Sequence, residues 1–327
     1  MTLPATTPQT PSLGIVGAGR AGLAVALGLV AAGAPPARIV VRDPQRAAAI
    51  AALLPSSVAV DTDTSPLWAQ LDVVVFATPD RALAAAASAL ASVYAAVAAD
   101  SGANVTWLHL SGVTPPAALH CPDGAHHLGS CHPLAAISDA VALTQAHGAD
   151  VAAQEAVDAL RGACFAVAGD ECALGVAVWL AGRLGGAAVE VPLDDRHAWH
   201  AAAALVANDL VALLALAERL ALRAGAPLAA VRPGLLHLAR SSLRSVELAT
   251  ASPTGGLVDG LTGAVARGDA ATLSQHLRAL ASDPLGAAAH RTLSAVLLEM
   301  VRAQPGRDPA LIAAIERAIA TETSKID

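Results

Sequence analysis

Gly17, Gly19 and Gly22 stand in G-x-G-x-x-G spacing directly after an apolar run that ends at Val16, and an alanine-rich stretch follows them. The first glycine of such a pattern permits a tight strand-to-helix turn. The second lets a pyrophosphate approach the backbone, and the third lets the helix pack close to the sheet. The backbone of Gly17, Gly19, Arg20, Ala21 and Gly22 would then face phosphate at the positive end of a helix. The next strand ends in Arg42 and Asp43, with Arg46 one turn later. A guanidinium pairs with a 2′-phosphate, which an acid repels, so NADP(H) is the expected cofactor and Asp43 leaves NAD as the alternative. Thr78 and Pro79, at the end of the fourth strand, are expected beside the nicotinamide half.

A hydride transfer also needs a proton donor, and histidine suits this because its pKa lies near neutrality. The chain has 11 histidines. His132 is placed at a strand's carboxyl end, where doubly wound sheets put their ligands, and Ser111-Gly112 ends the preceding strand in the same way. Ser111 and His132 are therefore candidates to bond one substrate oxygen. A serine turn and a loop-capping histidine would give the same pattern. His200 and Asn208 share a long helix, eight residues and roughly 12 Å apart along its axis. Asn208 sits in "LVANDLVALL", where a polar amide calls for a buried partner or a ligand. Asp269 reads as a helix N-cap. Arg267 just before it is a cation near a helix's positive end, so Thr262, Gly263 and Arg267 are read as a carboxylate or phosphate site. His126 and His127 read as solvated loop residues, and His237, His276 and His290 as helix residues without chemistry.

These side chains need a frame. Short apolar strands in "SLGIVGAG", "ARIVVRD", "SVAV", "LDVVVFATPD", "VTWLHLSG", "LGSCHPL", "ACFAVAGD" and "GAAVEVP" alternate with helices at 20–32, 44–54, about 80–99 and 171–184. Strands apolar throughout imply a parallel sheet covered on both faces. After Pro192 only helices are read, the first over roughly 194–224 with Asp194 or Asp195 as cap and Gly225 as stop. The expected fold is α/β: a doubly wound, mostly parallel Rossmann sheet over residues 1–192, then an all-helical domain over 193–327.

Composition narrows the partners. Aromatics are 2% of the 327 residues, so the core is expected to rest on Leu, Val and Ala. The net charge is −7 and no Lys/Arg run occurs, which argues against a nucleic-acid groove. Cys121, Cys131, Cys164 and Cys172 match no zinc spacing and no disulfide framework, so reduced cytoplasmic thiols and no metal are expected. "MTLPATTPQTPS" reads as a frayed tail without signal-peptide character. Residues 82–99 and 201–225 are apolar enough to suggest membrane spans, but weak apolarity in one and charges in the other favour packed helices.

The segments "GIVGAGRAG", "DVVVFATPDRAL", "LHLSGV", "CHPLAAI", "AVAGDECA", "RHAWHAAAALVANDLVAL" and "GLTGAVARGD" resemble, in this order, Rossmann-like proteins that carry a DUF2520 domain. The resemblance spans residues 12 to about 285. It implies the plan of 6-phosphogluconate dehydrogenase-like proteins, often dimeric through the helices, and a link to alternative ketopantoate reductases. Ordinary ketopantoate reductases carry a lysine and two asparagines on the corresponding helix; here those positions are His200, Ala204 and Asn208. "CHPLA" also resembles a histidine loop of prephenate dehydrogenases, which adds weight to His132. The expected activity is NADPH-dependent reduction of a small 2-keto acid, ketopantoate first. His132 or His200 would donate the proton, Ser111 and Asn208 would position oxygens, and Arg267 would hold the carboxylate. An imine reductase of the pyrroline-carboxylate type and a non-catalytic NADP(H)-binding protein are the alternatives.

Overall fold

The computed structural model describes residues 10–97, 105–120 and 126–321; Cys121 and the start of the amino-terminal tail lie outside them. The chain divides into two compact units, Met1–Asn208 and Asp209–Asp327.

The first unit is an eight-stranded sheet in the order β3-β2-β1-β4-β5-β6-β7-β8. Its strands are β1 (Leu13–Val16), β2 (Arg38–Val40), β3 (Ala59–Asp61), β4 (Val73–Phe76), β5 (Val105–His109), β6 (His126–Pro133), β7 (Cys164–Gly169) and β8 (Ala187–Glu190). All neighbours pair in parallel except β6 and β7, which run antiparallel with Gly129 opposite Gly169. The mostly parallel doubly wound sheet read from the sequence is thus the observed one. Side chains alternate between its two faces. Ile15, Val73 and Val75 join one core with Leu23, Leu27 and Leu180, whereas Val16, Val74 and Phe76 join another with Leu83 and Leu90. Helices cover both faces: α1 (Arg20–Ala31), α2 (Pro44–Ala51), α3 (Leu83–Val97), α4 (Ala140–His147), α5 (Ala149–Asp158) and α6 (Glu171–Arg183). The apolar pattern does not announce α4 and α5, which join β6 to the reversed β7.

The few aromatics are not spread thinly. Trp68, Phe76, Tyr94 and Trp107 gather in the second core, where Phe76 and Trp107 meet tilted at 59° with centroids 5.2 Å apart and the Tyr94 hydroxyl donates to the Trp68 carbonyl at 2.8 Å. The first core rests on Leu, Val, Ile and Ala, close to expectation, and the second adds these aromatics.

Beyond β8 the chain is helical. A 3-10 turn, Leu193–Asp195, leads into α7 (Arg196–Ala204), a π turn (Leu205–Asp209) and α8 (Leu210–Arg223). Helices therefore take over at 193, while the first compact unit keeps residues 193–208. Asp195 accepts no capping hydrogen bond, since the 3-10 turn already leads the backbone into the helix. Gly225, at φ +85°, is the stop. Leu193–Arg223 is, by length and composition, long enough to cross a membrane.

The second unit continues with α9 (Leu228–Thr250), α10 (Ala264–Arg267), α11 (Ala270–Ala279), α12 (Pro284–Arg302) and α13 (Pro309–Ala320). Its small core is built on Val265, Leu273, Leu277, Leu298, Val301 and Ile315. Arg219 on α8 grips the buried Asp283 in a bidentate pair, and Asp283 also caps α12.

Candidate active site

The glycine turn has the geometry its spacing predicts. Gly17 sits at φ +90°, a conformation L side chains rarely adopt, and a Cβ there would press on Ala77 and Thr78. At Gly22 a Cβ would lie 2.2 Å from the Gly17 carbonyl oxygen, so the helix could not pack this close with any larger residue. At Gly19 a Cβ would meet nothing within 4 Å. That open space lies at the start of α1, where no side chain caps the helix and no acid occupies the first turn. The first N–H groups of α1 have no intrahelical acceptor. Thr78 abuts the turn, and its buried hydroxyl has no hydrogen-bond partner among the described residues. An open cradle beside an orphaned hydroxyl fits a dinucleotide.

The cations after β2 divide. Arg42 is exposed and makes no ion pair among the described residues. Arg46 is committed: its guanidinium forks onto Asp139 at 3.2–3.3 Å and its Nε donates to the Ala18 carbonyl. Asp43 caps α2 through Gln45 and Arg46 N–H groups. The expectation that Arg46 reads a 2′-phosphate is corrected, because its fork already holds an anion and its Nε braces the glycine turn at Ala18.

At the carboxyl edge of the sheet, β5 and β6 bring Ser111, Gly112 and His132 together, and α7 adds Arg196 and His200. The imidazoles of His132 and His200 lie 5.5 Å apart, centroid to centroid, at 60°. Both press on Gly112, where a Cβ would lie 2.6 Å from His200 Nδ1 and 2.9 Å from His132 Cε1. Only a glycine leaves room for both rings. Arg196 is 1% exposed. Its Nη1 donates to Ser130 Oγ at 2.5 Å, and its Nε and Nη2 donate to the Gly112 and Ser111 carbonyls at 3.3 Å. It has no carboxylate partner among the described residues.

The charges follow from burial. Desolvation lowers His132 to about 4, aided by the positive charges of His200 and Arg196, while Asp80 pulls the other way. His109 is likewise lowered to about 4 by desolvation and then by Arg196. At neutral pH both rings are uncharged. His132 Nδ1 is buried without a partner among the described residues. An unpaired acceptor is tolerated better than an unpaired donor, so the hydrogen belongs on Nε2, the atom beside Gly112 and His200.

Other expectations change here. Ser111 is buried, and its hydroxyl donates to Thr114 Oγ1 while accepting from the Val113 and Thr114 N–H groups. It builds the turn and has no hydrogen left for a substrate oxygen. Asn208 is exposed in the π turn, so no buried partner is required of it. His127 is a strand residue, paired with Asp170 at 3.0 Å, not a solvated loop residue. Thr262 and Arg267 are exposed in the second unit, with Gly263 at φ +107° between them. Arg267 closes the short α10, where a cation suits the negative helix end. Asp269 caps α11 as expected, through Thr272.

Arg196 escaped the sequence reading, although its signal was present. It opens α7, and a cation at a helix's positive end needs a reason. Ser130 and Asp139 gave no such signal.

Taken together, a glycine cradle on β1 and a polar cluster at the carboxyl edge define a Rossmann-type oxidoreductase fold. Comparison with known proteins agrees. Residues 12–98 match the family described as NADP oxidoreductase, coenzyme F420-dependent, and residues 163–296 match DUF2520, a domain of unknown function. The chain thus pairs a Rossmann-like sheet with a segment similar to DUF2520. A sequence search of curated proteins finds no match. Among solved structures it is similar to a Bacteroides fragilis protein provisionally named an NADP oxidoreductase, at 19% identity and TM-score 0.62, covering 88% of this chain and 98% of that one. It is also similar to protein TM1727 of Thermotoga maritima, at 20% identity and TM-score 0.59, covering 89% and 98%. A Plasmodium falciparum pyrroline carboxylate reductase with NADP bound aligns at 11% identity and TM-score 0.54, covering 95% and 97%. These likenesses show the shared fold.

Proposed function

We propose that the protein is a cytoplasmic NADPH-dependent reductase of a small 2-keto acid, with ketopantoate the first substrate to test. The observation that carries this reading is the convergence of His132, His200 and Arg196 on Gly112 at the carboxyl edge, next to the glycine cradle. When bound, NADPH supplies the hydride. Gly17, Gly19, Arg20, Ala21 and Gly22 hold the diphosphate through their backbone, Arg42 meets the 2′-phosphate, and Thr78 with Pro79 borders the nicotinamide half.

A neutral imidazole polarises a carbonyl through its N–H rather than by giving up a proton from a cation. His132 takes that role through Nε2, and exposed His200 relays the proton from solvent. Arg196 is a positioning residue. It fixes Ser111 and Gly112 relative to β6 and keeps His132 uncharged. Arg267 of the second unit is an exposed cation able to bind a carboxylate. Exposed Val211, Leu222, Leu236, Leu238, Leu243 and Leu248 on α8 and α9 support a homodimer formed through the helical unit.

A second reading has its own observation. His132 is a poor source of a full proton, and a C=N substrate arrives already protonated, so an imine reductase fits the same cluster. The test is NADPH consumption with ketopantoate and with pyrroline-5-carboxylate. Turnover of ketopantoate with Arg42→Ala raising the NADPH KM about tenfold or more supports the first reading. Turnover of the imine alone replaces it, and cofactor binding with neither activity points to a non-catalytic protein.

A further inference from the structure

At the opposite end of β6 from His132, a second cluster forms. A ring nitrogen of His127, a carboxylate oxygen of Asp170 and Sγ of Cys172 all lie within 4.8 Å of one another. Five residues of strand separate it from the His132 site, about 17 Å at the usual rise. The antiparallel pairing of β6 with β7 builds it. Gly129 lies opposite Gly169, so His127 falls beside the residues that open α6. Such a set, 43 residues apart along the chain by its closest hydrogen bond, leaves no cysteine-spacing signature.

We propose that His127, Asp170 and Cys172 bind a divalent transition metal of the zinc type. Nitrogen, oxygen and thiolate sulfur are the ligand types zinc takes, and tetrahedral coordination spaces them about 3.5 Å apart. The atoms therefore need to close by about an ångström, and one pair is already in place: His127 Nδ1 and Asp170 Oδ1 are 3.0 Å apart. Asp170 is rigid before any ion arrives. It caps α6 through the Ala173 N–H and accepts the Leu128 N–H. Cys172, one residue into α6, is exposed and free. Binding releases the thiol proton to solvent, and a water completes the fourth position. Magnesium and calcium, which take oxygen ligands, are excluded by the sulfur. The ion would pin the start of β6 to α6 and is independent of hydride transfer.

Cobalt(II) reports the site directly, because a thiolate ligand gives a charge-transfer band. Titrating the full chain with CoCl2 at neutral pH should raise that band to one equivalent per chain, and ZnCl2 should abolish it. Cys172→Ser should remove the band, and His127→Gln should weaken binding at least tenfold. The metal-free melting temperature of Cys172→Ser should match the parent, since the side chain is exposed, which separates loss of a ligand from loss of fold. No band in the parent protein, or an undiminished band in Cys172→Ser, overturns the proposal.

Discussion

The molecule contains two histidine pairs with the same spacing and different surroundings. His132 and His200 in the first unit, and His276 and His290 in the second, both have ring centroids 5.5 Å apart. The first pair meets a strand-end glycine and a buried guanidinium. The second borders a cavity of about 360 Å³ walled by leucines and alanines such as Leu213, Leu216, Ala279 and Leu293. In both pairs the more buried ring is driven towards its neutral form by desolvation, then by its partner's charge. Only the first has a fixed cation and strand-end backbone around it. Two imidazoles in contact are therefore a packing motif, and the groups that orient them make one pair a candidate for chemistry.

The contrast can be broken most severely at Arg196. Replacing it with Met strands Ser130 and two carbonyls in a buried site, a loss of about 2–4 kcal/mol. Activity should fall about 100-fold or more as the strand-end turn loosens, since small misplacements are that costly. Chemical denaturation and steady-state kinetics read the two effects; an Arg196→Met enzyme with full turnover would remove Arg196 from the site. Acid should come next. His109 and His132 are held near 4, below their ordinary 6.5, so the unfolded chain binds more protons between those values. Their contribution is intact above about pH 6.5 and is lost as the pH falls towards 4, up to about 3 kcal/mol for each ring. Melting temperatures across that window should drop, and His132→Asn should flatten the slope.

Gly112→Ala tests the fit of the rings themselves. A methyl group 2.6 Å from His200 Nδ1 must push the imidazole aside. A fall in kcat of about tenfold is expected, with a stability change of about 1 kcal/mol. The smallest effect belongs to the second pair. His290 Nε2 is buried and has no partner among the described residues. His290→Leu should leave kcat within twofold and stability unchanged or raised by about 1 kcal/mol. A large loss of activity there would erase the distinction between the pairs.

The glycine cradle was legible because each glycine answers a backbone constraint local in sequence. The place of His132 at a strand's carboxyl end was legible because strand ends are. Arg46 misled, since its charge partner, Asp139, is 93 residues away. Ser111 misled because its hydroxyl closes a turn of its own segment, and Asn208 because an apolar helix on paper can be an exposed one in space. The reversal of β7 and the presence of α4 and α5 left no apolar signature, and His127 was misplaced with them.

By itself the sequence determined the alternation of strands and helices, the sheet's two-sided burial and the tight glycine turn, because side-chain periodicity and glycine stereochemistry act over a few residues. Which charges meet was decided only by the tertiary structure. Arg196 opposite Gly112, Arg46 on Asp139 and His127 beside Cys172 depend on strand order and direction, and ion pairs and desolvation act through space rather than along the chain.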